Sequence, residues 1–316
     1  MFSRELELRG RAFVNYQALS GVEVKDMTID GFPAKLFFNP ARVRSVMADV
    51  SPEALQKRAC FLCPDGLELN QLTTVWDSPT GQTYFIRVNP FPIFNHHFTI
   101  SSAIHERQTF APHMESMLHL AQAMPEMSIF YNGPMCGASA PDHMHFQAVP
   151  RHSMPIEDHF DTNYANAVLV QESDLQSHLA ALKKVLSMAS IPENASQTGS
   201  LTAGASRTEE WEPRWNIISW YEPESSASVV SDLQGKARST GASDLQPTGR
   251  SYNTIVFFRK ESRPQCFFAP ENERILFSPG TVEMGGVGIV ANRESFDRIT
   301  PRVLRSMIQE VADKIV

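Results

Sequence analysis

Two observations predict an α+β protein built as two related halves. The chain has 316 residues, which at roughly 150 residues per domain fits two domains or one large duplicated one. Short strand-like runs alternate with helical stretches through the first half, and the second half repeats that grammar. Composition agrees: 42% of residues are hydrophobic and 20% charged, enough apolar material for a sizeable core, which excludes a wholly disordered chain or a disulfide-stapled miniprotein. With 35 acidic and 28 basic residues the net charge is −7. This argues against a general nucleic-acid coat, whose affinity rests on Lys and Arg neutralising phosphates. A small phosphorylated ligand needs only a few local cations and stays compatible. No window reaches about 18 uninterrupted apolar residues, the length of a membrane span. The mixed-charge start, Met1-Phe2-Ser3-Arg4-Glu5, lacks the apolar stretch of a signal peptide. A cytoplasmic chain is expected, with Cys60, Cys63, Cys136 and Cys266 as thiols or metal ligands.

In chain order, residues 3–18 read as a charged amphipathic helix. Strands near 22–29 and 34–38 flank a turn at Asp30-Gly31-Phe32-Pro33, where Gly and Pro supply the required φ values. A helix near 40–57 leads into Cys60-Phe61-Leu62-Cys63-Pro64. Strand chemistry returns at 82–89 and 97–101, a helix at 112–123, strands at 127–132 and 143–149, and a long helix at 172–190. The second half offers strands near 214–221, 252–259, 265–269, 274–278 and 286–291, closing with a helix over 294–315. Residues 193–209 and 223–250 are rich in Ser, Thr, Gly and Ala. They hold too little apolar surface to offset ordering entropy, so the second reads as a long flexible hairpin loop, with a domain linker as the alternative. The halves are set at 1–192 and 193–316.

All ten histidines lie between His96 and His178, and the last 138 residues contain none. One site in the first half is therefore expected. The densest segment ends in His143-Met144-His145-Phe146-Gln147-Ala148-Val149. As a strand it puts His143, His145 and Gln147 on one face, with Met144, Phe146 and Ala148 on the other. The bland reading is a solvent-facing strand that happens to carry histidines. The preceding Gly133, Gly137, Ala138, Ser139 and Ala140 favour the sharper one: a small-residue loop whose N–H groups approach an anion. Loop amides neutralising a phosphate beside a neutral imidazole are what nucleophilic attack on phosphorus requires.

Asn132, this loop and His143-Met144-His145-Phe146-Gln147 resemble the histidine-triad superfamily. In particular they resemble its nucleotidyltransferase branch, in which glutamine replaces the third histidine. That branch contains galactose-1-phosphate uridylyltransferases, diadenosine-tetraphosphate phosphorylases and GDP-hexose phosphorylases. Asn132 stands eleven residues before His143, as the family leads one to expect. Val88-Asn89-Pro90-Phe91-Pro92 and His97-Phe98-Thr99-Ile100, followed by His105, resemble its nucleoside-binding strand and neighbour. The resemblance implies a fold of two histidine-triad-like halves, each an antiparallel sheet with helices on one side. It makes His145 the nucleophile that becomes nucleotidylated, with His143 and Gln147 as its catalytic companions, Gln147 bonding the phosphoryl group. Asn89, Asn132, Gly137, Ser139 and Arg42 would hold nucleotide and phosphates. One departure is Ala140, where the family often has serine.

The implied activity is ping-pong nucleotidyl transfer or phosphorolysis on an NDP-sugar or dinucleoside polyphosphate, with phosphate or a sugar phosphate as acceptor. An amide at 147 cannot titrate, which favours an intermediate that waits for such an acceptor. A hydrolase of the same superfamily and a non-catalytic nucleotide-binding protein are the alternatives. The partners are these small molecules, with no nucleic acid or membrane and with a homodimer left open. Cys60-x-x-Cys63 is half a tetrahedral zinc site. By resemblance to the uridylyltransferases, His105 and His143 complete it as structural zinc; a pair of buried reduced cysteines is the alternative.

The remaining candidates have plainer readings. Of His96 and His97, one should turn inward near the site and one outward. His113 and His119 read as packing or surface residues, and His152, His159 and His178 have no supporting pattern. Arg259, Lys260 and Arg263 read more readily as a solvated strand end than as a second phosphate site. Gly285-Gly286 reads as a bulge or a close backbone approach.

Overall fold

The computed structural model describes residues 10–43, 47, 50–64, 73–189, 212–224 and 249–314. The boundary at 192/193, the stretch 193–209 and nearly all of 223–250 lie outside the described residues. Helix α1 (Gly10–Ala18) precedes the hairpin β1 (Glu23–Ile29) and β2 (Phe32–Phe38), followed by α2 (Pro52–Lys57). Then come β3 (Thr73–Asp77), β4 (Thr83–Val88), β5 (Phe98–Ser102), α3 (Met114–Ala123), β6 (Met127–Asn132) and β7 (His145–Pro150). After these follow α4 (Thr162–Ala165), β8 (Ala167–Glu172), α5 (Leu175–Leu186), β9 (Trp215–Glu222) and β10 (Ser251–Phe258). The chain closes with α6 (Thr281–Met284), β11 (Val287–Val290), α7 (Arg293–Arg298) and α8 (Pro301–Val311).

Eight strands form one sheet in the order β3-β4-β5-β7-β6-β9-β10-β8, antiparallel throughout; β1, β2 and β11 form a second. Strands from before and after residue 192 pair at β6–β9, β8–β10 and β2–β11. This is the expected α+β architecture, with helices beside a large antiparallel sheet; the small sheet is mixed, β11 running parallel to β2.

Alternation along each strand sorts side chains to the two faces. Tyr84, Ile100, Ile129, Tyr131, Phe146, Ile217 and Val256 pack into one core, against α3 and α5. Phe130, Val149, Ile218, Ile255 and Phe257 join the other core, with the small sheet and α8. Each fully buried leucine-sized side chain contributes roughly 1.5–3 kcal/mol. Helix α8 shows the pattern that brings this about: Leu304, Met307, Ile308 and Val311 are buried at the spacing of one helical stripe.

Local chemistry sets the boundaries. In the β1–β2 register Ile29 pairs Phe32, leaving Asp30 and Gly31 as a two-residue turn with positive φ at both, the hairpin geometry that suits the strand twist. The helix expected over 294–315 is two helices, because Pro301 opens a fresh one behind the Thr300 cap. Of the helix expected over 40–57, the described residues show a 3-10 turn at Pro40–Arg42 and α2, which begins behind the Ser51 cap. The long helix at 172–190 begins only at Leu175, behind the Asp174 cap, and residues 167–172 are strand β8. Strands expected at 265–269 and 274–278 are a 3-10 turn and irregular chain. Strand β3 carried no local signal, being an exposed edge.

Candidate active site and metal centre

His145, Gln147, Thr99 and Ser101 share one face of the large sheet, since Gln147 pairs with Thr99 and His145 with Ser101. Beyond Phe130 and Gln147 the β6–β7 ladder stops. There the buried Gln108 side chain substitutes for it, its Oε1 accepting from His145 N at 2.8 Å. Its Nε2 donates to Asn132 O at 2.9 Å and His145 O at 3.0 Å. No local pattern points to Gln108, which lies 24 residues from one partner and 37 from the other.

His145 is only 4% exposed. Its Nδ1–H donates to the His143 carbonyl at 2.8 Å, which leaves the lone pair on Nε2. Nε2 has no hydrogen-bond partner among the described residues. Burial pushes the pKa down to about 4, against the backbone bond that raises it, so the ring is neutral near pH 7.

Gln147 is held by two groups below it. Its Oε1 accepts from His97 Nε2–H at 2.8 Å and from Asn89 Nδ2 at 3.3 Å. His97 Nδ1 in turn accepts from Ile93 N at 3.1 Å. Burial, reinforced by the nearby Arg42 charge, drives the His97 pKa down to about 3. The neutral Nε2–H form therefore fixes which end of the Gln147 amide is acceptor, and its Nε2 is left as a donor. Asn89, expected to touch nucleoside, also donates to Thr99 Oγ1 at 3.0 Å and accepts from Phe91 N at 2.8 Å. The structure gives it a supporting place under Gln147. His97 is the inward member of the His96/His97 pair; His96 is exposed, with φ 58°.

Asn132 Oδ1 accepts from Thr281 N at 2.8 Å and Asn216 Nδ2 at 2.9 Å. The second half thus braces the first at the head of the loop. Asn216 also donates to Cys136 O at 2.7 Å and accepts from Arg259 Nη1 at 2.6 Å. Arg259 is therefore not a solvated strand end; it is 2% exposed and spent on Asn216 and the Pro279, Glu261 and Ser262 carbonyls. Lys260 is exposed, and Arg263 bonds Ser278 Oγ at 2.9 Å.

The loop glycines have packing reasons. A Cβ at Gly133 would meet Trp215 O at 2.7 Å, and one at Gly137, whose φ is +95°, would meet Gly280 Cα at 2.7 Å. Gly137 and Ser139 are exposed on the loop surface. Gly285 and Gly286 are likewise close approaches, to Met154 and Phe32. Arg42 is half-buried and donates to Phe91 O. Its charge also acts on His97 and on the buried Glu283, whose carboxylate accepts from Gly280 N at 2.8 Å. An open cavity of about 490 Å³ is lined by Tyr16, Gln17, Leu19, Ser20 and Asn95. Tyr16 OH ties it to the site by donating to His97 O at 2.7 Å.

His143 turns away from His145 toward the cysteines. Cys60, Cys63, His105 and His143 bring their ligand atoms within 4.8 Å of one another. Cys60 Sγ lies 3.3 Å and Cys63 Sγ 3.5 Å from His143 Nδ1, and Cys63 Sγ lies 3.2 Å from His105 Nδ1. His143 Nε2–H donates to Ser102 O at 2.9 Å, which frees Nδ1 as a ligand. Two thiols and two imidazoles at these separations suit a tetrahedral ion. The cluster can hold a metal.

The other histidines lie elsewhere. His113 is buried against Tyr84 OH at 2.6 Å, and His119 is half-buried on α3. His152 pairs with Asp158 on the surface, His159 is exposed, and His178 is on the buried face of α5.

A family profile described as a domain of unknown function (DUF4922) matches residues 1–150. No curated protein matches the sequence significantly. The crystal structure of yeast Ap4A phosphorylase Apa2 aligns with a TM-score of 0.56 at 13% identity, over 97% of this chain and 97% of that one. The same yeast protein in complex with AMP aligns at 0.52 and 13% identity, over 96% of this chain and 95% of that one. No helix among the described residues is long and apolar enough to cross a membrane. The chain therefore has an α+β, histidine-triad-like fold similar to that of yeast Ap4A phosphorylase Apa2.

Proposed function

We propose that this chain is a nucleotidyltransferase or phosphorylase that works through a nucleotidyl group carried covalently on His145. The observation that carries the reading is the His145 imidazole. Its Nδ1–H is anchored to the His143 carbonyl, its Nε2 lone pair is unengaged, and a Gln147 amide has its oxygen already locked. In this scheme Nε2 attacks a nucleotide phosphorus in line, the N–P bond forms, and the P–O bond to the leaving phosphate breaks. The ring then carries a positive charge, and the Nδ1–H···O=C bond becomes charge-assisted. Gln147 Nε2 donates to a non-bridging oxygen as charge builds there. An oxygen of inorganic phosphate or a sugar phosphate next attacks phosphorus, the N–P bond breaks, and the imidazole returns neutral.

Resemblance to a yeast Ap4A phosphorylase in fold supports a dinucleoside polyphosphate as first substrate to try, with NDP-sugars next. Incubation with labelled nucleotides should trap an acid-labile adduct that His145→Ala abolishes; an adduct surviving in that variant would overturn the scheme. Added phosphate separates the acceptors: phosphorolysis gives a nucleoside diphosphate, hydrolysis a monophosphate. Nucleotide binding without turnover in any acceptor screen would point to a binding protein.

The four-residue cluster is proposed as a structural zinc site, for which two thiolates and two imidazoles are the usual donor set. Zinc there supplies a cross-link between the Cys60–Cys63 turn and the start of the His145 strand. Metal analysis tests it: less than about 0.2 equivalents of zinc in protein purified without chelator would remove the site.

A further inference from the structure

Arg87 is among the largest fully buried side chains of the protein, at 2% exposure. It projects from β4 on the face opposite Tyr84, which belongs to the core under α3. Its Nη1 donates to the Leu62 carbonyl at 2.9 Å, and Leu62 lies between Cys60 and Cys63 in the metal-binding turn. Its Nε and Nη2 are sealed from solvent with no hydrogen-bond partner among the described residues. The Phe85 ring stands 4.9 Å from the guanidinium. A buried guanidinium with two idle donors is costly, and such a group is retained where an opposite charge stands nearby. The groups acting favourably on its charge are the Cys63 and Cys60 sulfurs, which carry negative charge as metal ligands.

We propose that Arg87 is the positioning residue of the metal centre: it pins the carbonyl inside the Cys60-x-x-Cys63 turn and sets a buried positive charge against the two sulfurs. The proposal rests on the zinc reading above. It gives β4, which supplies no ligand, a direct part in shaping the site.

The test uses the full chain as wild type, Arg87→Met and Arg87→Lys. Zinc affinity is measured by chelator competition, and ligand geometry by the absorption spectrum of the cobalt-loaded protein. Arg87→Met should weaken zinc binding about 10- to 100-fold and alter the cobalt spectrum. Arg87→Lys, which keeps the charge but loses the planar fork, should fall between. An Arg87→Met protein with affinity within about twofold of wild type and an unchanged spectrum overturns the proposal. If that variant does not fold, an Arg87→Lys protein indistinguishable from wild type in both readouts overturns it equally. Wild-type protein that takes up neither zinc nor cobalt ends the zinc reading itself, and this proposal with it.

Discussion

His145 and His178 invite comparison because burial does nearly the same thing to both. Each has its pKa pushed down to about 4, with desolvation as the largest cause. Their hydrogen bonds differ. His145 spends Nδ1 on a backbone carbonyl and leaves Nε2 unengaged at 4% exposure. His178, on the buried face of α5, spends Nε2 on Thr254 Oγ1 at 2.8 Å and leaves Nδ1 sealed and without a partner among the described residues, at 0% exposure. A perturbed pKa alone therefore marks neither as functional. What separates them is which nitrogen is left over, and whether the ring sits on a strand that opens beside a loop or on the inner face of a helix packed on the sheet.

The largest expected contrast is in turnover. With a dinucleoside polyphosphate and inorganic phosphate, His145→Ala should lose at least about 10³-fold in kcat/KM, whereas His178→Leu should stay within about twofold. Equal losses in the two variants would erase the distinction. Next, Gln147→Ala removes a donor aimed at developing charge and should lower kcat about 10²- to 10³-fold. His97→Phe keeps the volume but frees the Gln147 amide to flip, and up to about 10²-fold in kcat is expected. An unchanged kcat would show that Gln147 needs no lock. The Cys60→Ser protein should lose bound zinc and unfold at lower temperature in a thermal scan.

The smallest effect concerns stability against pH. The His178 pKa falls on folding from 6.5 to about 4, so between those values the unfolded chain binds more protons. Its contribution is full above pH 6.5 and is lost as pH falls toward 4, by about 3 kcal/mol at most. Thr254 still bonds Ser219 Oγ at 2.6 Å in His178→Leu, which should match wild type at pH 7 within about 1 kcal/mol. At pH 5 the variant should be the more stable in urea titrations. A wild-type advantage at pH 5 would contradict the buried, neutral ring.

Much of the first half could be read residue by residue. The hairpin at Asp30-Gly31 is legible because two positive-φ positions between apolar strands have few other uses. The His143–Gln147 strand is legible because period-two alternation shows in a short window. Gln108, Arg87 and the Asn216–Arg259–Thr281 brace are not, because nothing within ten residues of them announces a partner. Asn132 meets Thr281 at a separation of 149 residues. The loop glycines show the same limit from the other side: small residues suggested an anion cradle, while Gly133 and Gly137 answer to Trp215 and Gly280.

What the sequence by itself determined is the inventory and its local order: one histidine-bearing strand behind a glycine loop, a Cys-x-x-Cys turn, and a second half without imidazoles. Those are facts of residue type and spacing, acting over a few residues. The tertiary structure alone decided which nitrogen of His145 is left with a lone pair, which end of Gln147 can donate, and that His143 turns to the cysteines while His145 does not. Each depends on a hydrogen bond closed between distant segments when the sheet assembles, and such bonds are fixed by packing rather than by periodicity.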